Sequence, residues 1–558
     1  MTSVERPPVA ADGGREHLEP AATDVSVAAA DSVTVAGWTL VSRVTGLLRI
    51  AAIGAVLGPT VLGNTFQFTN ALPNLIYYGL LAGSLFPSLL VPALVHHADA
   101  ADRRACERLA GGFLGATAVA LAVVVPLAVL AAPQLLGTTA PPGQAGLGGG
   151  QVGMARLLFL MFAPQVFCYA VVGTATATMN AHQRFGLAAA APALENVGII
   201  AVLGVTAVTY PHESGGPVQL GELLLLGLGT TGAVAVHAAV QWWGARRVGV
   251  VLLPRAGWRD PEVRTIIRRA MPSLGQAGVL ALQVVALLAA ANGARGGVVG
   301  FQMALSFVYL VVAVAVTPLA LGSLPWLSRA FSRGEHESFH DTFTRSLGLA
   351  LFVAVPAAVG CLLLSPALAR FVAVGRMAED DGVRVIASSL GALAAAVVGQ
   401  AVFSMCSYAF YARRDTRTPL LAAAVQVAVC LTGVGASLHF LDGARLLVGL
   451  GASYSAGTLV GALCMGAMLA GRVQRGPVRL VPSVARTGAA TAAMAVPVWL
   501  VAHAVTSWEG RVGTAAAVVL SSVTGVAAYW AVSRLLGAPE LALLAGVRRR
   551  ALPQGGPS

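Results

Sequence analysis

VTVAGWTLVSRVTGLLRIAAIGAVLG, residues 33–58, decides the fold of this chain. A helix rises 1.5 Å per residue, so about 20 apolar residues cross the roughly 30 Å hydrocarbon layer of a bilayer. This stretch is longer than that and carries no acidic residue, yet it holds Arg43 and Arg49. Runs of the same kind recur near residues 61–95, 108–132, 154–179, 186–209, 219–244, 266–291, 298–327, 346–364, 385–411, 418–440, 445–471, 484–505 and 512–536. The pattern predicts an all-α polytopic membrane protein with about fourteen transmembrane helices, the long second and eighth spans being bent or broken.

Composition agrees. Of 558 residues 56% are apolar and 11% charged, with a mean hydropathy of +0.76; soluble domains carry about 25% charged residues. A large soluble core is excluded. Residues 1–32 are mixed in charge and lack the basic start, short apolar core and cleavage site of a signal peptide, which predicts a disordered cytoplasmic tail. Six cysteines are scattered, mostly inside apolar spans, without a C-x-x-C pair, so neither a disulfide framework nor a zinc site is expected.

The net charge of +12 and the pI near 10.1 could point to nucleic acid, but the arginines are spread over short loops rather than gathered on one domain. Membrane topology accounts for them better. Alternate loops hold Arg103, Arg104 and Arg108, then Arg184, Arg246, Arg247, Arg329, Arg333, Arg413, Arg414 and Arg417, while the loops between are poor in arginine. Positive residues resist translocation, so the arginine-rich side and both termini are expected in the cytoplasm. The sequence contains no lysine, which excludes a Walker A loop and ATP as its own fuel.

The halves echo each other at a separation of about 230 to 240 residues. AGSLFPSL at 82–89 resembles LGSLPWLS at 321–328, and NAHQRF at 180–185 sits where YARRDT lies at 411–416. Two parallel six-helix repeats would follow. The expected divisions are a tail at 1–32, an N-lobe at 33–250, a C-lobe at 251–475, a final helix pair at 476–540 and a cytoplasmic tail at 541–558.

Arg43 and Arg49 stand roughly 9 Å apart along the first span. Each costs about 2.5 to 3.5 kcal/mol at mid-bilayer on insertion scales, so each needs a water-filled cavity or a partner. Guanidinium suits a diphosphate, because its fork of donors matches phosphate oxygens and stays charged. The alternatives are snorkelling to an interface, or an ion pair with Glu195 that serves stability alone. Prolines with polar neighbours interrupt other spans: ALPN at 71–74 precedes Tyr77 and Tyr78, and Pro192 precedes Glu195 and Asn196. Such bends leave backbone groups that cavity water can satisfy.

His336, Glu337 and His340 spell the H-E-x-x-H of zinc proteases, but in a polar loop without a third ligand. Metal catalysis is not expected there. The glycine-rich stretch at 141–153 lies outside any strand-to-helix context, so a nucleotide reading fails as well.

SRVTGLLR at 42–49, GNTFQFTNALPNLIYYGLLAGSLFPSLLVPAL at 63–94, NAHQRFGLAAAAPALEN at 180–196 and FYARRDTRTPL at 410–420 together resemble the MurJ/MviN family of lipid II flippases, in particular its actinobacterial branch. The resemblance covers most of residues 35 to 475. It implies membership of the multidrug/oligosaccharidyl-lipid/polysaccharide exporter superfamily, with two six-helix lobes about a central cavity and two C-terminal helices that form a lipid-facing groove. The family's cavity arginines carry over to Arg43 and Arg49. Asn64, Tyr77 and Tyr78 stand where the family often has charged residues, so the cavity is expected to be less cationic.

The resemblance implies a flippase, not an enzyme, that moves undecaprenyl-diphosphate-linked peptidoglycan precursor (lipid II) across the cytoplasmic membrane by alternating access for cell-wall synthesis. Two other readings remain: an exporter of another lipid-linked saccharide or amphiphile, or a non-transporting lipid-binding partner of the cell-wall machinery. The candidate substrate-binding set is Arg43, Arg49, Asn64, Asn74, Tyr77, Tyr78, Glu195 and Asn196. No catalytic residue, metal or cofactor is expected, and the driving force would be a coupling ion or the membrane potential. Expected partners are the lipid-linked diphosphate, the bilayer and cell-wall synthesis proteins, with no nucleic acid.

Overall fold

A computed structural model describes residues 22–75, 90–139, 145–211, 218–471, 480–505 and 510–542. The first part of the chain forms α1 (Ala22–Leu57), α2 (Val61–Leu75), α3 (Val91–Asp99), α4 (Arg103–Thr138), α5 (Ala145–Ala181), α6 (Phe185–Thr209) and α7 (Leu220–Arg247). Next come α8 (Pro261–Ala291), α9 (Gly297–Val311), α10 (Thr317–Ser332), α11 (His336–Leu363) and α12 (Ser365–Val372). The last are α13 (Asp380–Ala412), α14 (Arg417–Phe440), α15 (Gly443–Ala470), α16 (Leu480–Val505) and α17 (Gly510–Leu535).

Among the described residues, 13 helices are long and apolar enough to cross a membrane. The second predicted span, 61–95, begins in α2 and ends in α3; residues 76–89 between them, which include Tyr77, Tyr78 and the 82–89 repeat motif, lie outside the described residues. The eighth is interrupted. A π-helical turn, Val312–Val316, separates α9 from α10, where Pro318 has no N–H to give and its ring would crowd the carbonyl four residues back. Widening the helix by one residue relieves that crowding, and the Thr317 hydroxyl donates to the Val312 carbonyl at 3.3 Å.

The two motifs read as an internal echo make the same turn. Gln183 (φ 57°) and Arg414 (φ 58°) are both left-handed. Arg184 N donates to Met179 O and Asp415 N to Phe410 O, each at 2.9 Å, closing the preceding helix in the same way. Asp415 then caps α14 by accepting from the backbone of Arg417 and Thr418, both at 3.0 Å.

Packing differs at the two ends of the bundle. At the arginine-poor end one apolar core runs through both halves of the chain, from Ile53, Phe66 and Phe162 to Leu287, Phe301 and Val385. At the arginine-rich end the core is split. One cluster gathers Leu94, Phe113, Tyr169 and Ala245 with the start of α8; a separate one gathers Leu327, Phe339, Phe410 and Met465. Helix α1 follows the same division: Ile50, Ile53 and Leu57 are buried, whereas Trp38, Leu40, Val41 and Val44 nearer the arginine-rich end are exposed. The apolar core is thus shared by both halves at one end, the closed end, and divided into two clusters at the other. Helices α16 and α17 pack on each other and on α11 and α12, sharing a core of Phe352, Met494, Val498 and Tyr529.

Two features hold the arginine-rich end. The segment joining α7 to α8 lies across α4, where Arg255 N donates to Gly111 O at 2.9 Å and a Cβ on Gly115 would stand 1.9 Å from Arg255 O. Asp260 caps α8 and pairs with Arg108 at 3.3 Å, while Arg255 and Glu107 are 3.8 Å apart. Arginine also stacks on tryptophan at the ends of α7, α10 and α17: Arg247 lies 3.8 Å from the Trp243 ring, Arg329 5.3 Å from Trp326 and Arg534 4.9 Å from Trp530. Aromatic rings and guanidinium groups of this kind favour a membrane interface.

Candidate functional site

Within the first seven helices, charge-bearing side chains of several helices converge at one place. Arg43 and Arg49 are six residues apart, which turns them roughly 120° from each other around α1. They therefore face different surroundings. Arg43 is exposed, while Arg49 turns inward and keeps 16% of its side chain accessible. Its Nη1 lies 3.3 Å from Glu195 Oε1 on α6.

Glu195 is 2% exposed and is satisfied from three helices. Arg49 of α1 and the Tyr169 hydroxyl of α5 both donate to Oε1, the latter at 2.8 Å, and His237 Nδ1 of α7 stands 2.8 Å from Oε2. Tyr169 also reaches Asn74 Oδ1 of α2 at 3.1 Å, so the centre has a fourth neighbour. An isolated carboxylate in a dry interior is very costly, and a cation and hydrogen-bond donors on both oxygens offset that cost. Small residues allow the approach: a Cβ on Gly198 would stand 2.8 Å from Ala233 Cβ, so only glycine lets α6 and α7 come this close. Glu195 and His237 each sit about 15 Å along the helix from its arginine-rich end, which is mid-membrane depth.

Asn196 ties α6 to α1, its Nδ2 donating to Ser42 O at 3.2 Å and to Thr45 Oγ1 at 3.1 Å. One donor remains open on α1: Arg49 Nε is buried and meets no acceptor. Arg49, Asn74 and Glu195 are thus brought into one cluster, with Asn196 the next residue along α6. Asn64 is elsewhere. It lies about 15 Å along α2 from Asn74, and donates to Asn292 Oδ1 and the Ala294 carbonyl at the closed end.

His237, Tyr169 and Gln241 complete the cluster and were absent from the sequence-based set. A lone histidine in the apolar run VAVHAAV was the available signal, because an ionisable group inside a span needs a partner. Its partner, Glu195, comes from another helix. The H-E-x-x-H residues lie on a helix rather than in a loop: α11 begins at His336 because Glu335 and the preceding turn open directly into it. His336 and Glu337 are exposed there, His340 lies 3.4 Å from Asp341, and no metal-competent cluster of three His, Cys, Asp or Glu occurs among the described residues.

The profile of one family, described as Lipid II flippase MurJ, matches residues 53–521. A probable lipid II flippase MurJ of Rhizobium meliloti is 26% identical over 397 residues, covering 71% of this chain and 72% of that protein. The lipid II flippase MurJ of Burkholderia cenocepacia is 26% identical over 401 residues, covering 70% and 74%. Among solved structures, a lipid II flippase MurJ in an inward closed conformation superposes with a TM-score of 0.71 at 15% identity, over 90% of this chain and 98% of that one. An inward-facing multidrug transporter of the MATE family, of the MOP superfamily, gives 0.61 at 15% identity, over 79% and 97%.

Proposed function

The chain belongs to the lipid II flippase MurJ family, a family of membrane transporters rather than enzymes, and from that membership we propose that it carries lipid II across the plasma membrane. The observation that supports this reading best is Arg49, a guanidinium at mid-membrane depth with one buried donor unmatched, in a bundle whose apolar core is divided at its arginine-rich end. In the proposed cycle the arginine-rich end and both termini face the cytoplasm. The diphosphate enters between the two clusters of that end, meets Arg43 first and then Arg49, and the prenyl chain stays in lipid beside α16 and α17. Asn74, Tyr77, Tyr78 and Asn196 would contact the sugar and phosphate oxygens, while Asn64, held by Asn292, Ala294 O and Val298 N, would join the halves at the closed end rather than touch the headgroup.

The two lobes, 33–250 and 251–475, would then rock so that the closed end parts and the open end seals. The π-turn before Pro318 and Pro73 inside α2 supply places where helices could yield. Membrane potential acts on charge at about 2.3 kcal/mol per elementary charge per 100 mV, enough to bias export of a dianionic headgroup.

The test is rescue. A strain depleted of its own flippase and supplied with this chain should regain lipid II translocation, and Arg49→Ala should remove it. No rescue despite normal membrane insertion would overturn the proposal. The scarcity of charge favours a second reading, export of another lipid-linked saccharide, because Asn64 stands where a carboxylate is common in the family; transport of such a lipid in proteoliposomes with no transport of lipid II would select it.

A further inference from the structure

We propose that Glu195 and His237 form a proton-binding site linked to the headgroup site, so that binding of a diphosphate at Arg49 takes up one proton. This rests on the reading of Arg49 as a diphosphate ligand. The argument begins with charge. In the structure one carboxylate faces one guanidinium at 3.3 Å and one imidazole at 2.8 Å, all but Arg49 shut away from solvent: Glu195 is 2% exposed, His237 and Tyr169 0%. The charged or titratable groups facing Glu195 are Arg49 from α1, Tyr169 from α5 and His237 from α7, and α6 itself contributes no other. With neutral His237 the set is electrically balanced by Arg49 alone.

An anionic headgroup changes that balance. Drawing Arg49 toward a phosphate leaves Glu195 buried without a cation, which is costly in low dielectric. A proton on His237, 2.8 Å from Glu195 Oε2, restores the balance. Protonated on both nitrogens, the ring keeps its Nδ1–H on Glu195 and turns its Nε2–H toward Gln241.

Gln241 provides the acceptor. Its Nε2 lies 3.5 Å from His237 Nε2, which suits the neutral ring as an acceptor, while its Oε1 is buried and meets no donor. A half-turn of the amide gives up the 3.4 Å contact of its Nε2 with the Ala188 carbonyl and offers that oxygen to the imidazolium. The unmatched Arg49 Nε and the unmatched Gln241 Oε1 thus stand at the two ends of one hydrogen-bonded row, one awaiting an anion and the other a proton. Arg49 is the partly exposed member, so anion and proton share the entrance at its side.

Linkage is reciprocal: if the headgroup draws in a proton, acid must tighten the headgroup, by up to about tenfold per pH unit for one proton. The experiment measures Kd for lipid II with the full chain in nanodiscs between about pH 6 and 8.5; lipid II is the probe because its diphosphate is a diester and keeps its charge over that range. Wild type should bind more tightly as pH falls. His237→Gln should flatten the dependence to less than about twofold, and Glu195→Gln, which releases Arg49 without a proton, should bind independently of pH and at alkaline pH at least as tightly as wild type. Undiminished alkaline binding separates the proposal from a folding defect, which can only weaken binding. A flat wild-type profile, or a slope preserved in both variants, overturns the proton site and leaves the flippase reading standing. Absence of lipid II binding by monodisperse wild type at every pH overturns both.

Discussion

Asn64 of α2 and Asn292 after α8 meet side chain to side chain inside the closed end of the bundle, Nδ2 to Oδ1 at 3.3 Å. Asn64 also donates to Ala294 O at 3.2 Å and accepts from Val298 N at 3.1 Å, and Asn292 is itself held by Gln151 and the Leu136 carbonyl. Helices α2, α4, α5, α8 and α9 are thereby locked at one level. Both asparagines are nearly fully buried, so this contact welds the two halves of the chain together where the apolar core is shared.

Removing it should loosen that end. Asn64→Ala leaves the Val298 N–H without its acceptor in a dry interior, while the Ala294 carbonyl keeps Gly297 N at 2.9 Å, a loss of about 1 to 3 kcal/mol. Thermal unfolding of purified protein should show a lower Tm, whereas Asn74→Ala, at a half-buried position, should lower it less. Equal Tm values for the two variants would contradict the assignment of Asn64 to a structural joint.

Arg49→Lys should not substitute for Arg49. Lysine retains the charge but loses the planar fork that pairs with Glu195 in the resting protein and can match two phosphate oxygens when a headgroup takes it. Lipid II affinity should fall by about tenfold to a hundredfold, in keeping with about 1.5 to 3 kcal/mol for a charged hydrogen bond. Arg43→Lys should cost less, because Arg43 is exposed.

Cysteine reactivity tests the divided end. With Cys168 and Cys464 replaced, the remaining native thiols are buried. A cysteine at Arg43 should react quickly with a membrane-impermeant maleimide, and one at Ile53, which is 1% exposed, should stay unmodified. Rapid labelling at 53 would mean that the closed end opens in the resting protein.

Gly115→Ala should dislodge the segment between α7 and α8. Its methyl would stand 1.9 Å from the Arg255 carbonyl oxygen, so backbone must move, at a cost of about 1 to 3 kcal/mol. The ion pairs of the same region are exposed on at least one side, and breaking Arg108–Asp260 with Arg108→Gln should cost under about 1 kcal/mol. Limited proteolysis between α7 and α8 should therefore accelerate in Gly115→Ala and hardly at all in Arg108→Gln.

His336→Ala should leave rescue of a flippase-depleted strain intact. The residue is exposed at the first turn of α11 and far in sequence from every side chain assigned to the headgroup. Loss of rescue with normal expression would reopen a role for the H-E-x-x-H segment.

Much of the candidate site was legible in advance because ionisable groups are rare in apolar spans. Arg49 and Glu195 stood out for that reason, and their pairing was foreseen as one alternative. His237 was passed over: a single imidazole in an apolar run gives no sign of its partner, and the residue that makes it chemically interesting comes from another helix. Asn64 shows the opposite case. Its motif suggested the headgroup site, but asparagine in a span can equally satisfy backbone groups of a neighbouring helix, and the separation of Asn64 from Asn74 along α2 sends the two side chains to different levels.

The amino-acid order by itself determined that this chain crosses the membrane many times, because hydrocarbon accepts long apolar helices and rejects unsatisfied backbone, and that requirement can be read one segment at a time. It also determined which few side chains would be costly there. Which end is closed, which arginine of α1 turns inward, and whether Glu195 meets one partner or three were decided only by tertiary structure. Those outcomes depend on the rotation and depth of separate helices against one another, set by contacts such as Gly198 on Ala233 and Asn64 on Asn292 that join residues far apart in the chain.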